Sequence, residues 1–498
     1  MIKTIMLSLV LAASAGAQNY APDELLVKRT NRSVHNAVGT EVVEDLGKWE
    51  RVKLPPHLSV GSAIAAYHRF RADAQPNYYY HLLNTANDPQ FLGMYGLADI
   101  SAPSAWDLST GSPSVVVVDI DTGTRYTHED LAANMWQNPG ETGLDANGND
   151  KATNGIDDDD DGYIDDVYGV DVRFNDGDPS DLDYGVSGAH GTHTAGIIGA
   201  VGNNGIGVTG VNWNVKIMSV KIFNNTVSDD TTSATLIAAY NYVLMMKKHG
   251  VNIKVTNNSY GGCTEACGYD QATQDALDAL GNAGIVNVFA AGNNNTNNDV
   301  TPFYPASYNS PSIISVAASD SNDNRASFSD YGANSVDLAA PGVSILSTLP
   351  TGYGYLSGTS MAAPQVTGAI ALLSAYRPDL SMESLKASIL NGVDTLRPWR
   401  SMVKSGGRLN IYKAMKRPTV CTFVPTVPAV VSSQGGSSSF TVTAPANCDY
   451  APKSTVPWIT VTSGPLSAKG VVTYSVAAGS SRSGTIVFAG TSVTVNQR

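Results

Sequence analysis

The sequence predicts an α/β fold, a parallel sheet with helices on both faces, preceded by a small α+β unit and followed by an all-β sandwich module. Three observations carry this reading. From about residue 100, apolar β-branched runs alternate with helical segments, the pattern of a parallel sheet covered on both sides. Residues 22–83 hold a few strand-like runs around one helical segment. Residues 419–498 are rich in Val, Thr, Ser and Gly, with short alternating runs. The 498 residues suffice for two to four domains with a full-sized core.

The elements follow in chain order. Residues 1–17 read as a secretory signal: Lys3 gives a basic start, Ile5 to Ala13 is apolar, and Ala15-Gly16-Ala17 is a small-residue cleavage site. That run is too short to span a bilayer, and no later stretch approaches about 20 apolar residues. A secreted, extracellular chain without a membrane span is expected. Leu25-Leu26-Val27 opens a strand, Ser59 to Phe70 has helical spacing, and Asn77 to His81 reads as a last strand. In the central part, Val115 to Val118, Val215 to Ile222, Ile253 to Thr256 and Ile285 to Phe289 read as strands, and Leu236 to Lys247 as a helix. Sites in such sheets collect at the carboxyl ends of strands. Asp121 and Asn293 both lie just past one. Pro364 to Tyr376 reads as a small-residue helix that Pro378 ends, with Ser360 at its N-terminus. Phe440 to Thr443 and Gly484 to Phe488 read as strands of the last module.

Charge is uneven. The net charge is −13, yet residues 145–183 alone carry −12: fourteen Asp and no Glu against Lys151 and Arg173. An Asp cluster with interspersed Asn and Gly suggests calcium, because hard cations take oxygen ligands. Asp157, Asp159, Asp161 and Gly162 match the first half of an EF-hand loop. Its twelfth position is Tyr168 instead of Glu, and Asp165 or Asp166 could close the shell instead. Nothing basic is clustered enough to suggest nucleic acid. The four cysteines suit an oxidising compartment. Three pairings exist, and sequence order favours Cys263–Cys267 and Cys421–Cys448.

Three short motifs carry the chemistry. They are Asp121-Thr122-Gly123, His190-Gly191-Thr192-His193 and Gly358-Thr359-Ser360-Met361-Ala362-Ala363-Pro364. A serine hydroxyl is a poor nucleophile at neutral pH. It needs an imidazole to take its proton and a carboxylate to orient that imidazole. The motifs supply one of each, in the order Asp, His, Ser. His190 and His193 are three apart at a helix start, but no glutamate or third ligand accompanies them as a zinc site would require. His128 reads as solvated beside Glu129-Asp130, and His249 as a dipole contact at a helix end.

On these motifs, residues 88–416 resemble a subtilisin-family serine endopeptidase over nearly their whole length. The resemblance implies a three-layer subtilisin-like sheet for 85–416, with an acidic calcium-binding insertion at 138–186. It implies that Asp121, His190 and Ser360 form the triad, with His193 supporting the fold. Ala290-Ala291-Gly292-Asn293 resembles the family's oxyanion-hole segment, so Asn293 and the Ser360 N–H would hold the oxyanion. Asn258-Ser259-Tyr260-Gly261-Gly262 resembles the strand that holds the substrate backbone; Ser259, Tyr260 and Gly261 would pair with an extended peptide. Ala290 and Gly292 would leave room for the residue whose carbonyl is attacked, which implies an open, fairly broad pocket. Asn203 to Val208 resembles the family's calcium loop. Asp88, Asp130 and Asn204 would give side-chain oxygens, and Gly202, Ile206 and Val208 carbonyls. Together with Asp157, Asp159, Asp161 and Asp166 these are the expected Ca2+ ligands. Residues 18–84 resemble, more weakly, an inhibitory propeptide removed by the enzyme itself between Leu82 and Asn87. Residues 419–498 resemble a BACON domain through Cys421, Cys448, Pro457 to Val461, Val472 to Val476 and Ser481 to Thr485. Ala189 and Gln365 depart from common family residues without touching the chemistry.

The implied protein is a zymogen-derived, calcium-stabilised protease and a monomer, acting on protein or peptide substrates. Two other classes stand beside it, a dead binding scaffold and a calcium-dependent surface protein. A glycan or surface ligand for the last module is open, because Trp458 and Tyr474 suit either glycan contact or a core.

Overall fold

The structure, a computed structural model, describes residues 20–78, 85–181, 189–223, 231–262 and 269–498. The expected signal, residues 79–84 and the Cys263–Cys267 pairing lie outside the described residues. The chain divides into two units, 1–83 and 84–498.

In the first unit, β1 (Tyr20–Lys28), α1 (Arg32–Val38), β2 (Glu41–Asp45), β3 (Trp49–Lys53), α2 (Val60–Arg69) and β4 (Ala74–Tyr78) follow in turn. The four strands form one sheet in the order β2-β3-β1-β4, with antiparallel pairs. α2 begins where its sequence says. The Ser59 hydroxyl accepts the Ser62 N–H, an N-cap bond that satisfies a donor left free at the helix start. Leu25, Val27, Val52, Ala63 and Tyr67 fill the small core.

The second unit is built on a nine-stranded sheet. After the short helices α3 (Tyr95–Asp99) and α4 (Ala102–Trp106), the segments that shape the site are β5 (Gly111–Asp121), β6 (Gly169–Asp171), α5 (His190–Gly199), β7 (Asn214–Lys221), α6 (Ser233–Lys248), β8 (Ile253–Asn258), α7 (Gln271–Asn282), β9 (Val286–Ala290), β10 (Ile313–Ser319) and β11 (Leu338–Pro341). They precede a hairpin, β12 (Ile345–Thr348) with β13 (Tyr353–Leu356), then α8 (Thr359–Tyr376), α9 (Met382–Asn391), β14 (Asp394–Thr395), β15 (Gly407–Arg408) and α10 (Ile411–Lys416). The strand order is β14-β15-β11-β10-β9-β8-β5-β7-β6. Every pair from β11 to β6 is parallel, and only the edge pair β14–β15 is antiparallel.

Alternation along β5 makes the three layers. Val115 and Val117 pack with Ala195, Ile198, Val366, Ala369 and Ile370 of α5 and α8. Val116, Val118 and Ile120 pack with Ala239, Tyr240, Val243, Leu277 and Leu280 of α6 and α7. A run apolar on both faces is what a strand buried between two helical layers requires.

The C-terminal module is all-β. Its strands are β16 (Val424–Pro425), β17 (Gly436–Thr443), β18 (Asp449–Tyr450), β19 (Lys453–Ser454), β20 (Ile459–Val461), β21 (Leu466–Ser467), β22 (Gly470–Val476), β23 (Arg482–Phe488) and β24 (Thr491–Gln497). The sheets β16-β17-β22-β20 and β19-β23-β24 enclose a core of Phe440, Val472, Tyr474, Ile486, Phe488 and Val495. Cys421 and Cys448 are disulfide-bonded, as sequence order favours. Tyr474 is buried in that core, which removes it as a glycan contact. Trp458 is partly buried and stacks on the Arg482 guanidinium, 4.2 Å from the ring centroid.

Candidate active site

The strand β5 ends at Asp121 and the helix α5 begins at His190. Small residues bring the two together. At Gly191 a methyl group would run into the Gly123 carbonyl and sit 3.1 Å from Asp121 Cβ. His190 Nδ1 lies 2.7 Å from Asp121 Oδ1, which also accepts the Thr122 N–H at 2.7 Å. A carboxylate on Nδ1 leaves Nε2 of a neutral ring free to accept a proton.

Two further carboxyls surround this pair. Asp119 is buried and accepts hydrogen bonds from Thr194 Oγ1 (2.9 Å) and Asn257 Nδ2 (2.8 Å). Burial, and then the neighbouring Asp121, push it up to about 8. Asp181 accepts from Thr122 Oγ1, Thr192 N and Thr192 Oγ1, and burial pushes it up to about 7. Burial pulls the His190 imidazole down, but Asp121, Asp119 and Asp181 together outweigh it, so its pKa stands above the ordinary value. His193 is fully buried. Its Nε2–H donates to the carbonyls of Ile345 (3.0 Å) and Gly354 (3.2 Å), and burial lowers its pKa to about 4. It ties α5 to the β12–β13 hairpin.

Ser360 sits in the first turn of α8, where the helix dipole favours negative charge. Pro364 has no N–H, so it cannot bond the carbonyl of Ser360 four residues earlier. That carbonyl accepts the Ser259 hydroxyl instead, at 2.9 Å. In return, the Ser360 hydroxyl donates to the Ser259 carbonyl at 3.1 Å. The start of α8 and the segment after β8 are thus locked together at Ser360.

Asn293 is oriented by its carbonyl end. Its Oδ1 accepts the Thr359 N–H (2.9 Å) and hydroxyl (3.0 Å). That leaves the amide as donor. A methyl built on Gly358 would lie 3.6 Å from both Asn293 Nδ2 and the Ser360 nitrogen. The two donors therefore face one space, which glycine keeps open. Ala290 ends β9 and Gly292 lies two residues past it, and Ser259, Tyr260 and Gly261 follow β8, its parallel neighbour. Tyr260 turns its hydroxyl inward, onto Tyr240 and Asn258 Oδ1, each at 2.8 Å. Its side chain thus anchors the segment to α6 and to the end of β8.

The two expected cation sites differ. At the first, Asp88 accepts the N–H groups of Asn203 and Asn204, and Asp130 accepts Asn204 Nδ2 (2.7 Å) and the Val208 N–H (2.9 Å). The loop Gly202 to Val208 wraps two buried carboxyls, and burial pushes Asp130 up to about 6. At the second, Asp157 folds the loop: its oxygens accept the N–H groups of Asp161 (3.1 Å) and Gly162 (2.8 Å). Gly162 has φ +99°, the sharp turn the loop needs. Asp165 turns away to the Gly155 N–H, whereas Asp166 points inward to Asn138 Nδ2 and the Tyr242 hydroxyl. Burial pushes Asp166 up to about 8.

A residue the sequence reading missed joins this cluster. Carboxylate oxygens of Glu141, Asp157 and Asp159 lie within 4.8 Å of one another, as do those of Asp159, Asp161 and Asp166. Glu141 is fully buried: Oε1 accepts the Asp158 N–H, and Oε2 has no hydrogen-bond partner. Asp159 Oδ1 and Asp161 Oδ2 are buried without partners too. Buried orphan acceptors are costly unless a cation takes them. The all-oxygen donor set fits a hard divalent ion. His128 also departs from expectation. It is buried, with Nε2 on the Gly352 carbonyl and Nδ1 accepting the Asp130 N–H.

The fold and this constellation define a serine endopeptidase of the three-layer α/β type. The sequence model of the Subtilase family matches residues 112–412. Thermitase of Thermoactinomyces vulgaris is 36% identical over 334 residues, covering 67% of this chain and 99% of that protein. A thermophilic serine proteinase of Bacillus sp. (strain AK1) is 35% identical over 346 residues, 69% of this chain and 72% of the relative. A solved structure of a protease from Pseudoalteromonas arctica PAMC 21717 superposes with TM-score 0.51 at 29% identity, covering 67% of this chain and 99% of that one. The chain belongs to the subtilase family, whose members hydrolyse peptide bonds. Among the described residues, no helix is long and apolar enough to cross a membrane.

Proposed function

We propose that this subtilase is secreted, matures by removing its own residues 18 to about 84 with a cut between Leu82 and Asn87, and cleaves peptide bonds through an acyl-enzyme on Ser360. The observation that carries the proposal is the shared space at Gly358, faced by Asn293 Nδ2 and the Ser360 N–H, at the nucleophile itself. Ser360 attacks the carbonyl while His190 takes the hydroxyl proton and Asp121 stabilises the resulting imidazolium. The oxyanion moves into the space between the two donors. His190 then gives its proton to the leaving amine, and water repeats the sequence to free the acid. Ser259 to Gly261 and Ala290 to Gly292 flank the peptide as two walls.

Calcium is structural in this proposal. Asp88, Asp130, Asn204 and the carbonyls of Gly202, Ile206 and Val208 hold one ion. Asp157, Asp159, Asp161 and Asp166, with Glu141, hold calcium in the insertion. Bound there, the metal neutralises crowded carboxylates. Residues 1–17 support secretion. Ser360→Ala tests the whole: turnover and fluorophosphonate labelling are expected to vanish, and the precursor to stay uncut. Normal turnover in that variant would overturn the mechanism.

A further inference from the structure

Given the two walls proposed above, we infer that Phe303 is the floor of the pocket between them. The enzyme then cleaves after a small residue, of the class of Gly, Ala, Ser or Thr. Glycine-rich walls alone imply a broad pocket. The structure puts an aromatic ring where that breadth would be. A methyl built on Gly261 would come within 2.7 Å of Phe303 Cε1. One on Gly262 would come within 2.7 Å of Cδ2, and one on Gly292 within 3.0 Å of the same atom. Carbon atoms in ordinary contact stand about 3.5–4.0 Å apart. One ring therefore touches the segment after β8 and the segment after β9 at once. The glycines are needed there because the ring already takes the space. They do not leave that space to a large substrate side chain.

The ring is held in place. The Phe303 N–H donates to Ser307 Oγ at 2.9 Å, and the next carbonyl, Tyr304 O, accepts the Gly262 N–H at 2.8 Å. The side chain packs on the core that includes Phe289, Tyr308 and Ile313. Swinging it aside would break that packing. Asp330 stands behind the Gly292 wall. Its Oδ1 accepts the N–H groups of Asn294 and Thr296, while Oδ2 is buried without a partner against Gly292. The ring excludes length.

The same rule bears on maturation. In the window from Leu82 to Asn87, only Thr85 and Ala86 belong to the small class. The mature chain is therefore expected to begin at Ala86 or Asn87.

The experiment uses the mature enzyme on matched peptides that differ only at the residue before the cut: Gly, Ala, Ser, Thr, Leu, Phe, Lys and Glu. The kcat/KM for Ala is expected to exceed that for Phe or Leu by at least about tenfold, the scale on which a pocket discriminates size. Phe303→Ala is expected to raise the Phe-to-Ala ratio of kcat/KM by at least about tenfold. Wild-type preference for Leu, Phe or Lys would overturn the inference, and that profile needs no variant to fold. A small-residue preference that Phe303→Ala and Phe303→Leu both leave untouched would also overturn it. Peptide length isolates the underlying wall assignment. Extending the peptide by two residues before the cut is expected to lower KM by pairing along Ser259 to Gly261. A length-independent KM would sink that pairing, whatever the size profile shows.

Discussion

Asn293, His190 and Asp119 each give a single side chain a measurable consequence. In the proposed mechanism the Asn293 amide would face a charge that exists only near the transition state. Asn293→Ala is therefore expected to lower kcat by about 10²–10³ with little change in KM, the scale for removing one oxyanion donor. A pure KM effect would show that Asn293 only positions substrate. In the same mechanism His190 must be neutral to accept the Ser360 proton, and its pKa stands above 6.5. Activity is expected to rise with pH through a midpoint above 6.5; an acid limb centred below it would contradict the cluster of carboxyls around the ring. Asp119 has a separate consequence. Its carboxyl holds a proton up to about 8 in the fold, against 3.8 ordinarily. Between those values, unfolding releases a proton, so stability falls as pH rises and stops falling above about 8. Asn can keep both hydrogen bonds without a charge. Asp119→Asn is expected to gain at least ~1 kcal/mol of stability at pH 9 and much less at pH 4, by thermal unfolding in a Ser360→Ala background. An equal shift at both pH values would remove the charge from the explanation.

Among the elements, the acidic insertion separates what the sequence reveals from what it hides. Asp157, Asp159, Asp161 and Gly162 are legible because a cation loop folds on local spacing, and the described loop turns at Gly162 as expected. Glu141 was not legible. It reaches the cluster from outside the loop, where no local period points, and the only signal was its standing as the single Glu of 138–186. His128 misled for the same reason: Glu129 and Asp130 beside it suggest solvent, but the distant hairpin β12–β13 covers it. The long strands and helices of the sheet were legible from period and β-branching. The two-residue strands β14 and β15 were not, because pairing at a sheet edge leaves too short a pattern. If calcium holds the insertion, chelation is expected to lower the melting temperature of Ser360→Ala and to leave the initial rate of active enzyme unchanged. Ligand linkage is worth ~2.7 kcal/mol per site at a hundredfold excess over Kd. Glu141→Gln is expected to weaken binding in the insertion by at least about tenfold, read by terbium luminescence that Tyr163 and Tyr242 can sensitise. Unchanged binding would remove Glu141 from the shell.

Over the unit 84–498 the question is whether the β-module is an appendage or part of the fold. Lys386 on α9 is buried, and its ammonium lies 2.9 Å from Asp449 Oδ2 on β18 of the module. It also donates to the Pro311 carbonyl at 3.1 Å. Lys404 stands 3.7 Å from the same Asp449 oxygen and 3.9 Å from Asp337. Burial works against both charges, yet the pair prevails: Asp449 is held below the ordinary carboxyl value and Lys386 above the ordinary amine value. Hydrogen bonds from Asn391 to the Ala446 carbonyl, and from Asn447 to Asn391, extend the seam. A buried pair adds little over an apolar contact, but removing one partner strands the other charge, which costs about 3–5 kcal/mol. Asp449→Ala is therefore expected to lower the melting temperature of Ser360→Ala by several degrees in one transition, because the stranded Lys386 belongs to the catalytic part. Asp449→Ala with Lys386→Met should recover much of the loss, since no buried charge then remains. The sign with pH follows from Asp449. Its depressed pKa gives stability that is present above 3.8 and lost as pH falls through the lower folded value. The penalty of Asp449→Ala should therefore be largest near neutrality and shrink in acid. Two separate transitions, with the variant affecting only the one reported by module residues, would show instead that the module is an appendage.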